Sequence, residues 1–247
     1  MNIFLYTMLF LIGILVGNFW KDAIYKIPRN IKLNKKGISY IEPNSKSNLL
    51  SRLFYLGLGG ILFIIFGIIL KTDINNIRLS TIITYIFTIL YISILIITAG
   101  IDQKFLKIEK TVITAGIFLS ILYMICMYAI EAASINTSII YLGIYIVLIV
   151  VDTFIVKRYA EDSYTTGILM LFNIILIFTG TRIFTYTLIL TAIEILVNLL
   201  IAKIKQKRNG NKKVKLSNIP VGYFLGINNI FVLISMAVVE RMILIWK

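Results

Sequence analysis

The sequence predicts an all-α, polytopic membrane protein with about eight transmembrane helices. Three observations predict it. Hydrophobic residues make up 59% of the 247-residue chain and the mean hydropathy is +0.93, well above the roughly half-apolar make-up of soluble domains. The apolar residues fall in runs of about twenty, the length that crosses a bilayer core as a helix, and lipid obliges such a run to satisfy its own backbone hydrogen bonds. The basic residues sit between the runs and favour alternate connections.

The predicted spans are 3–20, 51–70, 79–101, 111–130, 138–157, 163–181, 183–203 and 220–245. The first, "IFLYTMLFLIGILVGNFW", has no basic residue before it and no small-residue cleavage site after it, so it reads as a retained anchor rather than a removed signal peptide. The third closes at Asp102, the fifth encloses Asp152, and the sixth opens at Asp162. Trp20 and Trp246 fall at span ends and read as interface anchors. Five of the 25 basic residues, Lys71, Arg78, Arg182, Arg241 and Lys247, lie on even-numbered connections or near the C-terminus. The other twenty lie on odd-numbered connections, which places those in the cytoplasm and both termini outside it.

The chain reads as one integral membrane domain over 1–247: an anchor helix with a short basic cytoplasmic loop in 1–50, then a helical core in 51–247. The loop 21–50 and the strip 204–219 are the sizeable polar parts, and neither is long enough for a core of its own. The net charge of +14 is therefore read as orientation and lipid contact, not nucleic-acid binding. There is no histidine, which removes His-based triads and HExxH zinc sites. The single Cys126 excludes an internal disulfide or a CxxC zinc site and reads as a small buried hydrophobe.

That leaves the eleven carboxylates. Asp102, in "TAGIDQKFLKIEK", and Asp162, in "KRYAEDSYTTG", both fall at cytoplasmic ends of spans. Two crossings separate them, so the topology returns them to one face and one depth. Paired carboxyls can divide labour: one holds a proton while the other acts as a base on water. That is aspartyl protease chemistry, and it needs neither His, Cys nor metal. An Asp at a helix end is also commonly a cap or a solvated residue. Asp152 reads as a buried polar contact, since ten residues of helix turn it away from the face of Asp162. Glu131, Glu194 and Glu240 acquire no role.

Three stretches resemble type IV prepilin peptidases. "LIGILVGNFWKDAIYKIPRN" is similar to the family's opening, with Gly17, Phe19, Ile24, Tyr25, Lys26, Ile27 and Pro28 following its pattern. "IDQKFLKIEKTVITAGI" is similar to the first catalytic segment, with Asp102 and Ile108 in place and Glu109 where the family has proline. "LSNIPVGYFLGI" is similar to the segment that opens the last helix, through Ile219, Pro220, Gly222 and Phe224. The second catalytic segment of that family ends Gly-x-Gly-Asp; this chain reads Tyr159, Ala160, Glu161, Asp162, and Tyr164 stands where a lysine often follows.

The resemblance implies a membrane aspartyl endopeptidase that removes the short basic leader from type IV prepilins or pseudopilins. Asp102 and Asp162 would be its catalytic pair. It further implies the bacterial cytoplasmic membrane, with the catalytic side facing the cytoplasm, and no cofactor for proteolysis. Many members also methylate the new N-terminus with S-adenosylmethionine; the first loop here lacks the paired CxxC motifs, and that activity stays open. Two other readings stay open as well. One is a diverged member acting as a membrane scaffold; the other is a small transporter relaying protons or cations through Asp152 and Asp162.

Overall fold

Lipid-facing segments with no partner for their own amides have one local solution, and every described element adopts it. The computed structural model describes residues 2–27, 45–70, 79–130, 135–151, 163–209 and 219–245. Among the described residues there is no strand. The helices are α1 (Asn2–Lys26), α2 (Ser45–Ile69), α3 (Leu79–Phe105), α4 (Lys110–Ala129), α5 (Ile135–Val151), α6 (Ser163–Asn209) and α7 (Val221–Ile245). Six of them, all but α5, are long and apolar enough to cross a membrane, and large apolar side chains such as Leu15, Phe118, Leu196 and Phe231 are exposed along them. The protein is a multi-pass, all-helical membrane protein.

The tally of six, against eight spans read from the sequence, has two sources. Helix α5 has only 17 residues, and predicted spans six and seven form one element, α6. Its apolar stretch Tyr164–Ile201 holds 38 residues, about 57 Å of straight helix against a hydrocarbon core of about 30 Å. Gly180 interrupts it at φ 71°, ψ 173°, a region open essentially to glycine alone. Contacts show which way the chain turns. Phe178 stacks on Tyr91, whose hydroxyl meets Asn229; Thr187, nine residues after Phe178, meets the same Asn229. Phe172 and Phe184 touch across the break, centroids 5.9 Å apart, though twelve residues of straight helix separate Cα atoms by about 18 Å. The two arms of α6, 163–179 and 181–209, therefore fold back on each other.

The chain divides into two compact units, Met1–Ile89 and Leu90–Lys247. In the first, α1 and α2 meet backbone to backbone. A Cβ on Gly13 would lie 2.5 Å from the Gly59 carbonyl oxygen, and one on Gly17 would strike the Tyr55 carbonyl. Gly13 and Gly17 are one turn apart, the small-xxx-small spacing that lets membrane helices approach closely. Trp20 and Ile24 continue this face of α1 and are 1% and 0% exposed. This corrects the reading of Trp20 as an interface anchor: its helical register with the two glycines, not its place at a span end, decides where it points. Helix α1 also runs on to Lys26, six residues into the expected loop, and Asp22 and Lys26 pair one turn apart at 2.7 Å.

In the second unit, α3 is the central helix: residues 91–102 are all buried. Its neighbours come close because they are small where they cross it. Gly226 of α7 lies over Leu95 and Ala99, and Gly116 of α4 lies against Ile94 and Ile174. Tyr91, Phe178 and Tyr123 form a three-ring stack joining α3, α6 and α4, with centroid spacings of 4.4 and 4.8 Å. Cys126 is partly exposed rather than buried.

Three outcomes follow for purified protein in detergent. Gly13→Leu should lower the unfolding midpoint, by the roughly 1–3 kcal/mol typical of overpacking or more. Gly57→Leu should leave it nearly unchanged, because a Cβ at Gly57 meets nothing within 4 Å. Gly180→Ala should cost about 1–3 kcal/mol for the forbidden backbone angles; an unchanged midpoint would show that the arms do not depend on that break.

Candidate functional site

Asp102 lies in the last turn of α3, where the chain must stop being helical. Leu106 ends the helix at φ 50°, and its N–H closes on the Asp102 carbonyl at 2.8 Å. A left-handed residue here is usually glycine; the leucine leads directly into the short connection to α4. That connection, residues 106–109, tucks Ile108 inward to 3% exposure. Ile108 has room because glycines face it: a Cβ on Gly167 of α6 would lie 2.8 Å from it, and one on Gly222 of α7 would lie 3.2 Å away.

The Asp102 carboxyl is completely buried and sits at the first turn of α7. The Tyr223 N–H donates to its Oδ2 at 3.0 Å. The Tyr164 hydroxyl, from the first turn of α6, donates to the same oxygen at 3.0 Å and accepts the Val221 N–H at 3.0 Å. The reason is local. The first amides of any helix lack intrahelical partners, and Pro220, just before α7, has no side-chain acceptor to serve as a cap. Asp102 and Tyr164 supply from two other helices what the sequence of α7 does not. Gly222 makes this possible, since a Cβ there would lie 3.0 Å from Asp102 Oδ2.

The other carboxyl oxygen, Oδ1, is buried with no hydrogen-bond partner among the described residues. A buried acceptor left unmade costs roughly 1–3 kcal/mol, more for a charged group. Glu109 is 6% exposed and precedes α4, where helix polarity favours an acid. Its Oε1 lies 3.4 Å from Lys107 Nζ, near enough for an ion pair but not aligned as a hydrogen bond.

Of the two sequence-predicted catalytic residues, Asp102 is at this junction. Asp162 lies outside the described residues, as do Asp152 and Glu161. The described chain resumes at Ser163, and the next residue is Tyr164, which touches Asp102. The segment around Asp102 and the segment around Pro220, more than a hundred residues apart, are brought together through Asp102, Ile108 and Gly222. Among the described residues, no three cysteine or acidic side chains come together as a metal would need.

Sequence reasoning missed a polar seam deeper in this unit. Tyr91 donates to Asn229 Oδ1 at 2.5 Å, and Asn229 donates to Thr187 at 3.0 Å. Asn228 donates to Thr191 at 3.2 Å and to Glu194 Oε2 at 2.9 Å. The signal was available: Thr187, Thr191 and Glu194 repeat at i, i+4, i+7 in an apolar run, opposite an Asn-Asn pair. Glu194 thus has a partner where the sequence assigned it no role. No protein-family model, curated protein or solved structure matches the chain.

The junction makes a measurable claim. Tyr164→Phe deletes only the shared hydroxyl and should destabilise the protein by about 1–2 kcal/mol, as expected for a hydrogen bond to a carboxyl group. Tyr128→Phe, at a half-exposed tyrosine, should not. Equal midpoints for the two variants would mean that the hydroxyl does not hold the three helices.

Proposed function

We propose that the chain is a membrane aspartyl endopeptidase that removes the leader from prepilins or pilin-like proteins, with Asp102 and Asp162 as its catalytic pair. One observation carries the reading: Asp102 is wholly buried, with Oδ2 fixed by Tyr164 and Tyr223 and Oδ1 without a partner. A carboxyl held this way has one oxygen oriented and one available. Asp162 is two residues before Tyr164 in the chain, which favours it as the second acid. The resemblance in three stretches adds support, because Asp102, Ile108 and Gly222, which match the family pattern, meet in space.

The chemistry is hydrolysis alone. One carboxylate takes a proton from water as the water oxygen bonds to the scissile carbonyl carbon. The other carboxyl, protonated, first donates to the developing oxyanion. The C–N bond then breaks, the amine nitrogen takes up a proton, and the products are a carboxyl group and an amine. With α5 and each arm of α6 counted as passes, the chain would cross a bacterial cytoplasmic membrane eight times. The basic connections would lie in the cytoplasm, on the side where Asp102 ends α3.

A second reading also rests on an observation. Asp102 caps α7, so it could be kept for structure alone in a diverged, inactive scaffold. Asp102→Asn separates the two, because an amide oxygen still accepts the Tyr223 N–H but cannot exchange a proton as a carboxyl does. Cleavage of a co-expressed prepilin should be lost, by about 10²–10⁴-fold or more, in Asp102→Asn and in Asp162→Asn at unchanged membrane levels. A wild type inert towards the pilins of its own organism would favour the scaffold.

A further inference from the structure

Thr98 precedes Asp102 by one helical turn, so the two side chains leave α3 on the same face. Both are almost wholly buried, at 1% and 0% exposure. Both carry an oxygen without a hydrogen-bond partner among the described residues, Thr98 Oγ1 and Asp102 Oδ1. Six other helical hydroxyls behave differently. Thr7, Thr84, Thr179, Thr185 and Thr187 each donate to the carbonyl four residues earlier, at 2.7–2.8 Å, and Ser120 does the same. That is the ordinary resting place for a hydroxyl in an apolar helix. Thr98 makes no such bond. Nor do the glycines across from this stretch of α3 offer a side chain: Gly226 faces Leu95 and Ala99, and Gly222 faces Asp102.

We propose that Thr98 Oγ1 and Asp102 Oδ1 are the two side-chain ligands of one bound water molecule. Side chains one turn apart have Cβ atoms about 5–6 Å apart, and two hydrogen bonds of about 2.8 Å meeting at a water's near-tetrahedral angle join oxygens about 4.5 Å apart, a separation that side chains on one helix face can reach. Buried waters occupy polar positions of this kind, joined to two to four otherwise unsatisfied groups. Thr98 donates or accepts as the water requires, and Asp102 accepts. The use of this water as the one consumed in hydrolysis rests on the proteolytic reading above; the site itself does not.

The test is a melting comparison of wild type, Thr98→Val, Thr98→Ser and Asp102→Ala, with the Thr98→Val/Asp102→Ala double variant, in detergent. Thr98→Val keeps the shape and removes the hydroxyl. A shared water predicts a lower midpoint for Thr98→Val than for Thr98→Ser, and a much smaller effect of Thr98→Val when Asp102 is already alanine. A Thr98→Val midpoint at or above wild type, or the same shift in both backgrounds, overturns the site, since the hydroxyl then has no bound partner or one unrelated to Asp102. Cleavage assays add the role. Thr98→Val should lower kcat roughly tenfold, equivalent to about 1.4 kcal/mol, with KM unchanged, and Thr98→Ser should restore most of it. Wild-type rates in Thr98→Val would overturn the water's part in hydrolysis. A wild type that cuts no prepilin would overturn the proteolytic reading, while the melting comparison still decides the water site.

Discussion

The side chain of Asp102 ends one helix and begins another. Its Oδ2 receives the Tyr223 N–H at the start of α7 and the Tyr164 hydroxyl from the start of α6, so three helix ends are fixed around one atom. In water such ends would be capped by solvent. In lipid or protein interior each orphan amide must find a partner inside the chain, and Pro220 leaves α7 unable to provide its own. The constraint explains why an acid sits in so apolar a chain and why Gly222 lies beside it: a Cβ there would collide with Asp102 and Ile108, and Gly167 likewise makes room for Ile108. It also explains the second oxygen. Geometry that satisfies Oδ2 twice leaves Oδ1 without a partner among the described residues.

The rest of the second unit is arranged to hold α3 still. Tyr91, Phe178 and Tyr123, from three helices, form one stack, and the Tyr91 hydroxyl joins the seam of Asn229 and Thr187. Hydrogen bonds of this kind between membrane helices contribute about 0.6 kcal/mol each on average and up to about 2, so the seam fixes register more than it supplies stability. Gly180 is the other fixed point. By folding α6 back it lets one element supply Tyr164 to the junction and Thr187, Thr191 and Glu194 to the seam.

The helices were legible because lipid makes hydrophobicity and length nearly sufficient signals. Their ends were less so. The run "KDAIYK" reads as loop by its charges, yet Asp22 and Lys26 pair along one face and carry α1 through it. The reversal in α6 was legible as a boundary between two spans, but not that one glycine makes the turn. Within the site, Asp102 stood out as an acid at a span end, while the sequence around Tyr164 gave no sign of what its hydroxyl would touch. Its hydroxyl matters through contacts 57 and 62 residues away, and no local pattern encodes those. Thr98 looks like any other helical threonine until its missing back-bond is seen.

The proposed function pairs Asp102 with Asp162. The most direct measurement is cross-linking, which needs no knowledge of the substrate. In a background where the single native cysteine, Cys126, is replaced by alanine, cysteines would be placed at 102 and 162. Membranes would then be treated with a short bifunctional thiol reagent and with oxidant. The account predicts an efficient intramolecular cross-link for 102–162 and none for 102–152. A pair at 102–162 that stays unlinked while each cysteine alone is modified, or preferential linkage to 152, would contradict it.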